Sequence, residues 1–130
     1  MSPLILVVDD EPQIQTLMEL ILKEKGYQTA QCLTGEKAIE MMNDLEFNLV
    51  ILDLNLPCAG GREVAEYVEE YHPHTPIIFI TGAETAETMA LKSECTGRED
   101  RHFMYKPIMT NELYDSIEVL INQSLKKGGV

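Results

Sequence analysis

The chain is short of cations. It has ten lysines and arginines against 22 aspartates and glutamates, a formal net charge of −12 at pH 7. Such a surface repels phosphate backbones, which argues against nucleic acid as a partner. Long apolar runs are missing too. No stretch approaches the roughly 20 residues of a membrane-spanning helix, and no signal-peptide pattern is read at the start. Cysteine is sparse: Cys32, Cys58 and Cys95 cannot all pair within one chain and lack metal-site spacing. Free thiols in a reducing cytoplasm are therefore expected. Cys58, in the loop after Asp53, is weighed as a redox-sensitive thiol against an incidental small residue. Repeats, low-complexity tracts and interdomain linkers are absent. With 130 residues, 45% of them hydrophobic, the expectation is one domain over 1–130, with a core over about 3–125 and a frayed tail at 126–130.

What is present is a series of short apolar runs that stop at polar residues. Residues 49–52 run into Asp53. Residues 4–8 end in Asp9-Asp10-Glu11, residues 77–80 in Thr81-Gly82, and residues 102–105 in Lys106-Pro107. Each run has strand length and carries β-branched or aromatic residues. Continuous rather than alternating apolar character fits parallel strands covered on both faces. Residues 27–32 read as a weaker second strand.

Helical spacing fills the gaps. Ile14, Leu17, Met18 and Ile21 follow Pro12 and stop at Gly26. Thr34 caps a helix carrying Ala38, Met41, Met42 and Leu45. Val64, Tyr67, Val68 and Tyr71 follow Gly60-Gly61 and end before Pro73 and Pro76. Residues 84–94 form a fourth, weakly amphipathic helix. Thr110 caps a fifth, with Leu113, Ile117, Leu120 and Ile121 inward. The order is (βα)₅ with right-handed crossovers, an α/β doubly wound sheet.

In such sheets ligands bind beyond the carboxyl ends of the strands, where strand order switches. Carboxylates, a hydroxyl and an amine stand at those ends here. Each has an ordinary explanation. Asp9-Asp10-Glu11 suits a helix N-terminus, Thr81 a strand end or cap, and Lys106 the surface. Asp53 resists dismissal, because a carboxylate buried without a partner is costly. His72, His74 and His102 show no ligand spacing, and the methionines at helical spacing suit the core.

Taken in order, Asp9-Asp10, Asp53-x-x-x-Pro57-x-x-x-Gly61, Thr81-Gly82 and Lys106-Pro107 give the chain its likeness. It resembles the receiver domains of two-component response regulators over essentially its whole length. The resemblance implies a flavodoxin-like sheet of order 2-1-3-4-5. It implies transfer of a phosphoryl group from the phosphohistidine of a sensor histidine kinase, or of a histidine phosphotransfer domain, onto Asp53. It also implies Mg²⁺ (or Mn²⁺), a cation that favours a few carboxylates plus water. Asp10 and Asp53 would supply side-chain oxygens, Asn55 its carbonyl, and Asp9 a contact through water. Lys106 would neutralise a phosphoryl oxygen and Thr81 would donate to another. The Lys106-Pro107 bond would be cis, and Thr81 and Phe103 would form a switch pair.

By the same resemblance the domain is no enzyme acting on external substrates. It is cytoplasmic and signals to a downstream effector protein, with homodimerisation through the fourth helix, fifth strand and fifth helix as an option. A phosphorylation-independent interaction module is the alternative. Departures from the family pattern lie at Thr96-Gly97-Arg98-Glu99-Asp100-Arg101, where receivers carry a Gly-Ala pair and a shorter gap to the lysine. Phe103 lacks a tyrosine hydroxyl, and Ala83 has no polar group to guide water.

Overall fold

The structure, a computed structural model, describes residues 2–56 and 60–128. Strands β1 (Leu4–Val8), β2 (Gln28–Cys32), β3 (Leu49–Asp53), β4 (Ile77–Thr81) and β5 (Arg101–Tyr105) alternate with five helices. These are α1 (Pro12–Glu24), α2 (Gly35–Asp44), α3 (Gly61–Tyr71), α4 (Ala86–Glu94) and α5 (Thr110–Gly128). The strands form one sheet of order β2-β1-β3-β4-β5, parallel at every pairing. This is the flavodoxin-like arrangement expected.

The apolar runs are continuous because each strand feeds two cores. Alternate side chains point to opposite faces. Leu6, Val8, Val50, Leu52, Ile77 and Phe79 meet Ala38, Met42, Val64, Val68 and Leu91 of α2, α3 and α4 on one face. Ile5, Val7, Leu49, Ile51, Ile78 and Ile80 meet Met18, Leu22, Leu113, Ile117 and Leu120 of α1 and α5 on the other. Every residue of β3 and β4 is buried. Each large aliphatic side chain so buried contributes about 1.5–3 kcal/mol.

Local chemistry sets the element ends. The Thr34 hydroxyl accepts from the Lys37 N–H at 3.1 Å and starts α2 as expected. Gly26, at φ +85°, takes a left-handed turn between α1 and β2 that other residues adopt at a cost. Among the described residues no helix is long and apolar enough to cross a membrane.

Several boundaries and faces differ from the sequence expectation. β2 begins at Gln28 rather than Tyr27, and β5 begins one residue early, at a buried Arg101. α4 starts at Ala86, because the Thr85 hydroxyl accepts from the Thr88 N–H and caps it there. α5 opens at Thr110 itself, and the Met109 carbonyl accepts its first bond, from Leu113. Its helical backbone continues through Gly128 where fraying was expected, while Gly129 and Val130 lie outside the described residues. On α1, Leu17 is 48% exposed and Gln15 and Leu22 are buried instead. Tyr71 is exposed and packs on Tyr67, with ring centroids 4.8 Å apart. Met89, Met109 and Leu45 also face solvent, as a surface short of polar atoms allows.

Candidate functional site

β1, β3 and β4 are neighbours in the sheet, so their carboxyl ends lie side by side. β1 is flanked by β2 and β3, so successive crossovers run in opposite directions from it, and a crevice opens at that switch. Asp9 follows β1, Asp53 closes β3, Thr81 closes β4, and Lys106 follows β5. Parallel strands with matched registers therefore deliver residues far apart in sequence to one rim.

Asp53 is only 2% exposed. Its Oδ1 accepts from the Asn55 N–H at 2.8 Å, and its Oδ2 lies 3.2 Å from Lys106 Nζ. Asp9, equally buried, accepts from the Glu11 N–H at 2.9 Å through Oδ1, and its Oδ2 is 3.6 Å from the same ammonium. Glu11 Oε1 makes the closest approach to Lys106, 2.7 Å. Asp10 is exposed. Asp9, Asp10, Glu11 and Asp53 each offer a carboxylate oxygen within 4.8 Å of the others. Hard oxygen donors at this density could bind a metal ion, and they suit a hard divalent cation.

Burial raises the Asp9 pKa to about 6, and the negative charges of Asp53 and Glu11 add to the rise. The Glu11 N–H and the Lys106 charge oppose it without cancelling it. For Lys106, burial pulls the pKa down, but its hydrogen bonds to Glu11 and Asp53 and the charges of Asp53 and Asp9 outweigh that and hold it above its ordinary value. The rim thus stores excess negative charge around one ammonium.

The Thr81 hydroxyl is fully buried. It has one proton and two acceptors in reach, the Ala83 carbonyl at 2.7 Å and Asn55 Oδ1 at 3.2 Å. The Gly82 N–H donates to Asn55 Oδ1 at 3.2 Å. Asp10, Glu11, Asp53, Asn55, Gly82, Ala83 and Lys106 line a shallow cavity of about 340 Å³. A small anion entering it meets one lysine among three carboxylates.

The structure brings Asp9, Asp10, Asp53, Asn55, Thr81 and Lys106 together. It leaves Phe103 outside the cavity, half-buried in mid-strand and stacked on Phe79 with centroids 4.7 Å apart. The Lys106-Pro107 peptide is cis. Pro57 and Cys58 lie outside the described residues. Cys32 and Cys95 are free thiols. Burial raises the pKa of both, to about 11 for Cys32, so neither is a ready nucleophile.

Two participants were not legible in the sequence. Glu11 reads there as one more acid at a helix start, yet it holds the lysine. Gln15 is buried inside α1 and its Nε2 reaches the carbonyls of Cys32, Val7 and Asp9 at 2.7, 3.1 and 3.1 Å. It ties α1 to the ends of β1 and β2 and fixes the backbone under Asp9. Its only sequence signal is a polar residue on the inward side of the α1 stripe.

The comparisons agree with this geometry. The pattern of the response regulator receiver domain matches residues 5–118. The regulatory protein VanR of Enterococcus faecium is 33% identical over all of this chain, which covers 54% of VanR. The response regulator protein PilR of Pseudomonas aeruginosa is 30% identical over 86% of this chain, which covers 24% of PilR. The chain thus spans half or less, or little more than half, of the length of these relatives. A CheY-like receiver domain structure from Methanospirillum hungatei superimposes with a TM-score of 0.88 at 24% identity, covering 98% of this chain and 99% of that one. With the family pattern running from Ile5 to Glu118, through all five strands and into the last helix, the chain belongs to the response regulator receiver domains, the family of two-component signalling.

Proposed function

We propose that this chain is a phosphoacceptor that relays a signal: Asp53 takes a phosphoryl group from the phosphohistidine of a sensor histidine kinase or a histidine phosphotransfer domain. The carrying observation is the Asp53 carboxylate, buried at a strand end and facing Lys106 at 3.2 Å across an acid-lined cavity. An Asp53 oxygen attacks phosphorus, the bond from phosphorus to the imidazole nitrogen breaks, and that nitrogen keeps the electron pair and takes up a proton. Lys106 neutralises charge on an equatorial oxygen, where the loose transition state accumulates it. The Thr81 hydroxyl turns from the Ala83 carbonyl to donate to a second oxygen.

The donor set fits Mg²⁺ or Mn²⁺, with Asp10 and Asp53 as side-chain ligands, Asn55 through its carbonyl and Asp9 through water. When bound, the cation supplies the positive charge that lets an anionic donor approach an anionic nucleophile. Phosphorylation then shifts the population between two states. Thr81 and Phe103 carry that shift to a partner: an effector protein, or a second copy through α4, β5 and α5. That face exposes Met89, Tyr105 and Val119. The setting is the cytoplasm, with neither membrane nor nucleic acid as partner.

The test is labelling with acetyl phosphate and Mg²⁺, read by intact mass. The wild type gains one phosphoryl group and Asp53→Asn gains none. Equal labelling of the two overturns the assignment.

A further inference from the structure

Glu11 belongs to the acid cluster but stands outside the ligand set proposed above, yet it makes the shortest contact of Lys106. The ammonium lies 2.7 Å from Glu11 Oε1, 3.2 Å from Asp53 Oδ2 and 3.6 Å from Asp9 Oδ2. Two features hold Glu11 in place. Its N–H donates to Asp9 Oδ1 at 2.9 Å, which pins its backbone to the rim. It occupies the cap position of α1, but its side chain makes no capping hydrogen bond. Pro12 follows at the first helical position, which proline suits. The carboxylate is left to reach across to the β5 side, from a residue 95 positions away in sequence.

An ammonium has three protons. Here one is directed at Glu11 and one at Asp53. Lys106 is the only cation lining the cavity among the described residues. A phosphoryl group on Asp53 brings oxygens that compete for those same protons. The bond to Asp53 Oδ2 can pass to a phosphoryl oxygen with little movement, since that oxygen belongs to the acceptor itself. The bond to Glu11 points to a half-exposed group at the mouth of the cavity.

We propose that Glu11 is a positioning residue that holds the Lys106 ammonium toward the cavity mouth, so that the lysine must change partners when a phosphoryl group arrives. The role rests on Asp53 being the phosphoacceptor. Glu11 touches neither acceptor nor donor. It acts through Lys106 and sets the rate of phosphoryl capture.

Two substitutions separate contact from charge. Glu11→Gln keeps an acceptor of similar reach but removes the charge that makes the bond strong. Glu11→Asp keeps the charge but is one methylene too short to hold the lysine. Capture is measured as the rate of labelling by acetyl phosphate at Mg²⁺ concentrations that saturate each variant. Both variants are expected to capture faster than wild type, by up to about tenfold, the scale of one charge-assisted hydrogen bond. If Glu11→Gln is fast and Glu11→Asp matches wild type, charge alone acts and the positioning role is overturned. Wild-type or slower capture in both variants overturns it as well.

A second readout needs no phosphorylation. The ¹⁵Nζ resonance of Lys106, assigned by its loss in Lys106→Arg, should move in both Glu11 variants. An unmoved resonance overturns the contact. A wild type that fails to label overturns the phosphoacceptor assignment and the kinetic role with it. A labelled wild type with unchanged variants overturns the role of Glu11 alone.

Discussion

β5 carries a cation at each end, and the two ends are built differently. Arg101 opens the strand, and its guanidinium donates to the carbonyls of Thr75 and Asp100 and pairs with Glu69 and Asp100. Arg98 joins the same acids. Two arginines thus face two carboxylates. Lys106 follows the strand, where one ammonium faces Asp9, Glu11 and Asp53, with Asp10 beside them.

The carboxyls respond in opposite directions. Burial pushes Glu69 and Asp100 up, but hydrogen bonds from the arginines and the arginine charges carry both below their ordinary values. Asp9 is pushed up to about 6. A balanced network holds the α3, β4 and β5 ends together. The unbalanced one is left wanting positive charge, which is the property that the metal-assisted phosphoacceptor proposed above would need.

The largest expected effect falls at the balanced end. Arg101→Ala removes a buried cation from its carboxylates and carbonyls and should cost about 3–5 kcal/mol, read by chemical denaturation. A loss below about 1 kcal/mol would make the network ornamental. At the other end, removing charge should stabilise. In metal-free buffer at neutral pH, Asp9→Asn should gain up to about 3 kcal/mol over wild type. The folded Asp9 pKa lies above its ordinary 3.8. Its contribution to stability is therefore fully present below that value and lost as pH rises through about 6. The gain of the variant should accordingly vanish below about pH 4. A pH-independent difference would refute the assignment to Asp9.

Mg²⁺ should then stabilise the wild type, by about 2.7 kcal/mol at a hundred times its dissociation constant. Asp10→Asn should lose most of that gain, while the weakened Arg101→Ala protein keeps it. Thermal shifts with and without Mg²⁺ distinguish the two, and an equal gain in Asp10→Asn removes Asp10 from the ligands. The smallest effect belongs between the two ends. Phe103→Tyr adds a hydroxyl to a half-buried ring in mid-strand and should change stability by less than about 1 kcal/mol. Relaxation dispersion checks its dynamic role. Exchange shared by Thr81 and Phe103, shifted by beryllofluoride, supports coupling, and a static Phe103 makes it core.

The unbalanced end is legible in the sequence because each of its main groups follows an apolar run that only a buried strand explains. Asp53 and Lys106 announce themselves by position. The balanced end is not legible. Arg98, Asp100 and Arg101 sit in a polar stretch that matches no periodic pattern, and Glu69 is 32 residues from its Arg101 partner. Only the docking of α3 beside β5 brings them together. Glu11 and Gln15 stayed hidden for a related reason. Their side chains have several local uses, and tertiary contact selects one. The α1 stripe holds at Ile14, Met18 and Ile21 and fails only at Leu17, because apolar residues also occur on surfaces and the rule that buried means apolar does not run backwards.

Strand order has a consequence for how the molecule comes into being. During synthesis β1 leaves the ribosome first, yet it belongs in the interior of the sheet, between β2 and β3. It gains its second neighbour only once residues 49–53 have emerged. β5, an edge strand, is the last to be made. Lys106 follows that edge strand and is the cation that faces Asp9 and Asp53, so seating β5 closes the sheet and partly neutralises the acidic rim in one event.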